Sequence, residues 1–281
     1  MLRSPCRFAL GTVVAILTTV SSARADFVVV GNSDPNALLG SLLGSTTGLS
    51  NFSATVTGDA SAFGLFSGGL PAIGVPGGVV LSTGRAVDVV GPNNATNKST
   101  DLPGSDSVLF RIAFDSDGSA SNLFFRYVFG SEEFPEYGGS QFNDRFELLL
   151  NGENLAKLTN GQDVTINNLA ASPTGPFNPD YISNTGGTQT QLDAYTKPLT
   201  LVGDLRPGAN VLEISIRDVG DSIFDSAVFI EGSTLGTVTP PLVDPNPIPA
   251  PPAVVLGFIG AAGLVAARFR KAKLAKGEAM A

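Results

Sequence analysis

The sequence contains no histidine and no tryptophan, a single cysteine, and charged residues at only 15% of positions. Without histidine, Ser-His-Asp and Cys-His catalytic arrangements cannot be built. The same absence, with one cysteine, excludes a Cys/His zinc centre. Cys6 lies inside a segment read below as an export signal, so the mature chain would carry no thiol and no disulfide framework. A helical bundle would need more Glu, Lys and Ala. What is present instead is 33 glycines, 19 prolines and frequent Ser, Thr and Asn, the composition of a turn-rich β protein.

Charge is unevenly placed along the 281 residues. Before Asp26 there are three basic residues (Arg3, Arg7, Arg24) and no acidic one. After Ala250 there are five basic residues and one acid, Glu278. The middle therefore holds 24 acids against nine bases, a net charge of −15. A body this acidic repels nucleic acid and attracts divalent cations.

Both ends read as addresses. Residues 1–25 run from a basic start through the apolar stretch Phe8–Val20 to Ala23-Arg24-Ala25, the pattern of a signal peptide. Cleavage is expected between Ala25 and Asp26, after passage through the Sec export machinery; an uncleaved anchor is the alternative. At the other end, residues 240–252 form a proline-rich linker, followed by 15 uncharged residues, Ala253–Ala267, and a basic tail over 268–281. Fifteen helical residues span about 22 Å, short of the roughly 30 Å hydrocarbon core. The basic cluster from Arg268 would stay on the cytoplasmic side.

This ending resembles the PEP-CTERM sorting signal that exosortases read in Gram-negative bacteria. The motif is Ile248-Pro249-Ala250-Pro251, with Ala250 where the commonest form has glutamate. The resemblance implies an exosortase-like sorting enzyme as partner. A plain single-pass membrane helix is the competing reading.

Between the ends, residues 26–239 are expected to form one all-β domain, an antiparallel two-sheet, jelly-roll-like β-sandwich. A short N-terminal helix precedes it, capped by Asp34, opened by Pro35 and ended by Gly44. Period-two alternation marks strands at Phe52–Val56, Val108–Phe114, Leu123–Phe129, Phe146–Leu150, Val164–Ile166, Leu212–Ile216 and Val228–Ile230, and Val79–Leu81 is a short apolar run between glycines. The alternation places each apolar set on one buried face, with Arg126 on the other side. Asp115–Gly118 reads as a hairpin turn, and Asn151-Gly152 as a strong turn signal.

Three stretches resemble the choice-of-anchor L domain: Gly78–Gly84; Tyr127–Tyr137 leading to Phe142–Phe146; and Asp218–Glu231. Val164–Asn168 and Tyr181–Asn184 fit the same pattern. The resemblance implies a module displayed outside the cell on varied bacterial anchors, and it brings no catalytic residues with it.

Two acidic clusters carry the candidate chemistry. One gathers Glu132, Glu133, Glu136, Asn143 and Asp144; the other, Asp218, Asp221 and Asp225. If they converge at one end of the sandwich, some of these residues would form a structural Ca²⁺ site, since Ca²⁺ takes about six to eight oxygen ligands. The bland alternative is turn capping and pairing with Arg126, Arg145 or Arg217. Glu132 with Asp221 could in principle serve glycoside hydrolysis, but no pair shows the opposed environments that acid and base require. The expectation is a non-catalytic surface or matrix protein engaged in adhesion or biofilm, with glycans or surface proteins as partners. A carbohydrate-active enzyme and a permanently membrane-tethered binding module are the alternatives.

Overall fold

The computed structural model describes residues 26–94, 98–102 and 107–241, all within the compact unit Ala25–Asn246. The expected signal segment through Ala25 lies outside the described residues. So do the sorting motif at Pro249, Ala250 and Pro251, the expected transmembrane sorting helix and the basic tail.

In chain order the strands are β1 (Val28–Gly31), β2 (Leu49–Thr57), β3 (Phe63–Ser67), β4 (Gly77–Ser82), β5 (Ser107–Ser116), β6 (Asn122–Ser131) and β7 (Arg145–Leu150). Then come β8 (Glu153–Asn154), β9 (Val164–Thr165), β10 (Tyr181–Ser183), β11 (Ala194–Thr196), β12 (Leu199–Asp204), β13 (Gly208–Arg217) and β14 (Ser226–Glu231). They form two sheets in which every strand pair is antiparallel. The larger runs β1-β3-β4-β14-β6-β11-β10, with β12 also on β6; the smaller runs β2-β5-β13-β7-β8, with β9 on β7. The expected two-sheet sandwich is the fold.

The alternating residues do what their period dictates. Phe110, Ile112 and Phe114 of β5, Ile214 and Ile216 of β13, and Phe146 and Leu148 of β7 point inward from the smaller sheet. They meet Phe125, Tyr127 and Phe129 of β6 and Val228 and Ile230 of β14. Each such side chain contributes about 1.5–3 kcal/mol when fully buried. The outer face of the smaller sheet stays wet, with cross-strand pairs Arg111–Glu213 at 3.5 Å and Arg217–Glu147 at 3.0 Å.

The larger sheet departs from the one-face expectation. Its centre is buried on both sides, and β14 has no exposed residue. Its outer face carries a second core in which Phe27, Phe66 and Phe229 meet edge-on, 5.4–6.2 Å between ring centres. Arg126 sits on that face and is buried. It pairs with Glu231 at 3.0 Å and donates from Nη2 to the carbonyls of Pro240 and Pro241, at 3.1 and 2.6 Å. A buried charge survives only with such partners, so Arg126 is tied to the chain's exit from the sandwich.

Three local readings are corrected. Asp115–Gly118 is not a hairpin turn: both edges of β5 are taken, by β2 and β13, so the chain crosses to the other sheet before β6. Ile166 does not extend a strand. Thr165 accepts from Asn168 N and caps a single helical turn, α3 (Ile166–Leu169); the two earlier helices are α1 (Pro35–Leu42) and α2 (Leu70–Ile73). Asp34 caps α1 as expected, accepting from Asn36 N at 2.9 Å, but α1 stops at Leu42, before Gly44. Gly44 is needed because a Cβ there would lie 2.3 Å from the Ser233 carbonyl. The Asn151-Gly152 turn is as read, with φ of 54° and 89°, joining β7 to β8.

Candidate functional site

Two crossovers between the sheets meet at one end of the sandwich. Residues 132–144 carry the chain from β6 to β7, and residues 218–225 return it from β13 to β14. Backbone bonds lock them together: Glu132 N donates to Asp225 O at 3.0 Å, and Asn143 N to Val219 O at 3.1 Å. The two acidic clusters therefore converge, because each lies in a connection that must pass over the same end.

At the centre is a hydroxyl–carboxylate chain. Ser226 Oγ stands 2.8 Å from Ser131 Oγ and 2.7 Å from Asp144 Oδ2. A hydroxyl has one proton, so when Ser226 donates to the carboxylate, Ser131 supplies the other bond. Asp144 Oδ1 accepts from Val219 N at 2.9 Å. Ser131 Oγ also accepts from Glu133 N, and Thr83 Oγ1 from Ser226 N. Asp144 is wholly buried, yet both of its oxygens are served.

Glu133 is different. It is also wholly buried, and neither Oε has a hydrogen-bond partner. The Asp144 amide faces it without reaching hydrogen-bond geometry. Burial first, and then the charges of Asp144, Asp218 and Asp221, push its carboxyl far above the ordinary range. Asp144 is raised as well, by burial, against the opposing bonds from Ser226 and Val219.

Glu132 points elsewhere. Burial and then the charge of Asp193 push it up to about 8, opposed by the Lys98 N–H, 3.3 Å from its Oε2. The crevice it lines with Asp88, Lys98 and Asp225 holds only about 10 Å³. Asp225 lies between the two groups: Thr100 N donates to its Oδ1 at 3.0 Å, and its charge raises both Glu132 and Asp144. Gly84 is required beside it, since a Cβ there would come within 1.9 Å of Asp225 Oδ2.

Glu133 thus lies within electrostatic reach of Asp144, Asp218 and Asp221, and Glu132 within reach of Asp193 and Asp225. Asn143 turns aside, its Oδ1 accepting from Asn167 N at the start of α3. Glu136 is exposed. The alternative pairing with arginine fails for Glu132, Glu133, Asp144 and Asp221. Arg126 takes Glu231, Arg217 takes Glu147 at 3.0 Å, and Arg145 lies 3.9 Å from Glu147. Among the described residues, no three acidic side chains are already gathered round one point. Sequence reasoning missed Asp193, Thr83, Ser131 and Ser226. The two serines flank the clusters in sequence and were legible as oxygen donors; Asp193 lies in a stretch without periodicity and gave no signal.

An antiparallel sandwich closed at one end by acidic crossovers is the architecture of a module, and comparison with known proteins gives its family. The chain belongs to the choice-of-anchor L domain family, whose model matches residues 28–236. Membership points to an exported or cell-surface protein. No curated protein is significantly similar in sequence. Among solved structures, a family 35 carbohydrate binding module from an environmental isolate matches 57% of this chain and 99% of its own, at 10% identity and a TM-score of 0.23. A likeness that slight says nothing about function.

Proposed function

We propose that this protein is an exported, non-catalytic display module of a bacterial surface or extracellular matrix, holding extracellular polymer or neighbouring surface proteins. In this reading it is sorted and anchored through its C-terminal segment in Gram-negative fashion, by an exosortase-like enzyme. The observation that carries the proposal is the closed acidic end. Glu132, Glu133 and Asp144 are no more than 1% exposed, and the crevice at Glu132 is too small for a sugar ring. Carboxylates that catalyse glycoside hydrolysis must flank a bound substrate with about 5–9.5 Å between them. These are sealed against one instead. The fastening of Pro240 and Pro241 by Arg126 also suits a body carried on a tether.

The test is the mass of the surface-exposed form together with the adhesion of the producing cells. Loss of the 253–281 segment from the mature protein, and weaker biofilm after Pro249-Ala250-Pro251 is replaced, are the expected results. A retained segment would instead make it a permanently tethered binding module. Reducing ends released from a polysaccharide panel, and abolished by Glu132→Gln, would make it an enzyme and overturn the proposal.

A further inference from the structure

We infer that Glu133, Asp144, Asp218 and Asp221 form a divalent-cation site of the Ca²⁺ type that staples the two sheets together at the crossover end. The inference stands apart from the display role. Its foundation is the side chain of Glu133, fully buried with neither carboxylate oxygen reached by a donor, and facing three other acids rather than a base. Buried polar groups in folded proteins are almost always satisfied, so an orphaned carboxylate asks what completes it. No base reaches Glu133: Arg217 pairs with Glu147, Arg126 with Glu231 and Lys98 with Asp88. Glu132, one residue earlier, supplies the contrast, because it receives the Lys98 N–H.

The donor chemistry fits a hard cation. With no histidine in the chain and no cysteine in the described residues, the set is all oxygen, which suits Ca²⁺ or Mg²⁺ over zinc. Asp144 accepts one bond on each oxygen and keeps lone pairs on both. Asp221 accepts from Ile223 N on Oδ1, which leaves Oδ2. Loop carbonyls and water would supply the remaining ligands. The donors also come from different places. Glu133 ends the run from β6 of the larger sheet, Asp144 leads into β7 of the smaller, and Asp218 and Asp221 lie on the return crossover. Residues 218–221 are partly exposed, whereas Glu133 and Asp144 are fixed in the interior. Binding would therefore draw the outer loop onto the inner pair, and a loop donor set that must adjust favours Ca²⁺ over the stricter octahedron of Mg²⁺.

The experiment is calorimetric titration of the chelator-stripped full-length protein with CaCl₂, with thermal melting in parallel and MgCl₂ as a second arm. One saturable site is expected, bound more weakly by Mg²⁺. At calcium a hundredfold above Kd, the melting midpoint should rise by about 5–10 °C. Glu133→Gln keeps the side chain's shape and imitates a merely protonated acid; it should retain the β spectrum and abolish the calcium response. Asp221→Asn, in the partly exposed loop, should weaken calcium at least tenfold, and it serves if Glu133→Gln does not fold. No heat with an unmoved midpoint would overturn the inference, leaving Glu133 as a protonated acid beside Asp144. Wild-type calcium affinity in the variants that fold would overturn it too, by placing the ion elsewhere.

Discussion

Asp180 shows how a buried carboxylate is made tolerable when donors do reach it. It is wholly buried, yet Thr159 N and Oγ1 donate to it at 2.6–2.9 Å, and Lys197 Nζ lies 2.7 Å away. Burial alone would raise its carboxyl, but the bonds from Lys197 and Thr159 outweigh that and hold it below its ordinary 3.8. An acid lowered on folding stabilises the protein above its unfolded value and loses that contribution as pH falls through the folded one. Asp180→Asn should therefore cost roughly 1–3 kcal/mol near neutrality. Urea unfolding of both proteins from pH 7 downward should show the gap closing below pH 4. Glu133 has the same burial and none of these donors, and the contrast between the two side chains is what distinguishes a structural acid from a candidate ligand.

Among the elements, β4 is the least forgiving. It lies between β3 and β14 with both faces covered, and Gly78 holds φ at +151° where a Cβ would fall 1.9 Å from the Ile230 carbonyl. Gly78→Ala must strain the backbone and push β14 away, which should destabilise by about 2–4 kcal/mol; denaturant unfolding measures it. The elements most legible in the sequence were β5, β7 and β13, because a wet outer face and a dry inner one write period two into the chain, and β6, whose inward aromatic set stands out although its outer face is largely dry too. β12 alternates too, as Leu199-Thr200-Leu201-Val202, but Val202 is half exposed and spoils the pattern. β8, β10 and β11 have two or three residues each, too short for any period to register, and β9 was read one residue too long, through Ile166. The partner of β5 was misread because an Asp-Ser-Asp-Gly turn looks the same whether the next strand stays in the sheet or leaves it. The acidic end was legible as composition. Its division into two groups was not, since Glu132 and Glu133 are adjacent in sequence and part only where the chain bends beyond the end of β6.

At the scale of the whole molecule, the larger sheet is the spine. It contributes to both cores, and its middle strand β6 carries the buried Arg126 that binds Glu231 of β14. Arg126→Met removes the charge and keeps most of the bulk, which leaves Glu231 buried and alone. Breaking a buried pair from one side costs about 3–5 kcal/mol, so the variant should unfold at markedly lower urea. Proteolysis near Pro240 should also quicken, because the guanidinium no longer grips the two carbonyls.

That grip decides how the molecule meets a pull. Tension arriving along the chain beyond Pro241 meets the Arg126 guanidinium of β6 on its covalent way to β14, and both are interior strands hydrogen-bonded on two sides. Load is thus shared inside the larger sheet, and the short outlying strands are spared being peeled away one after another.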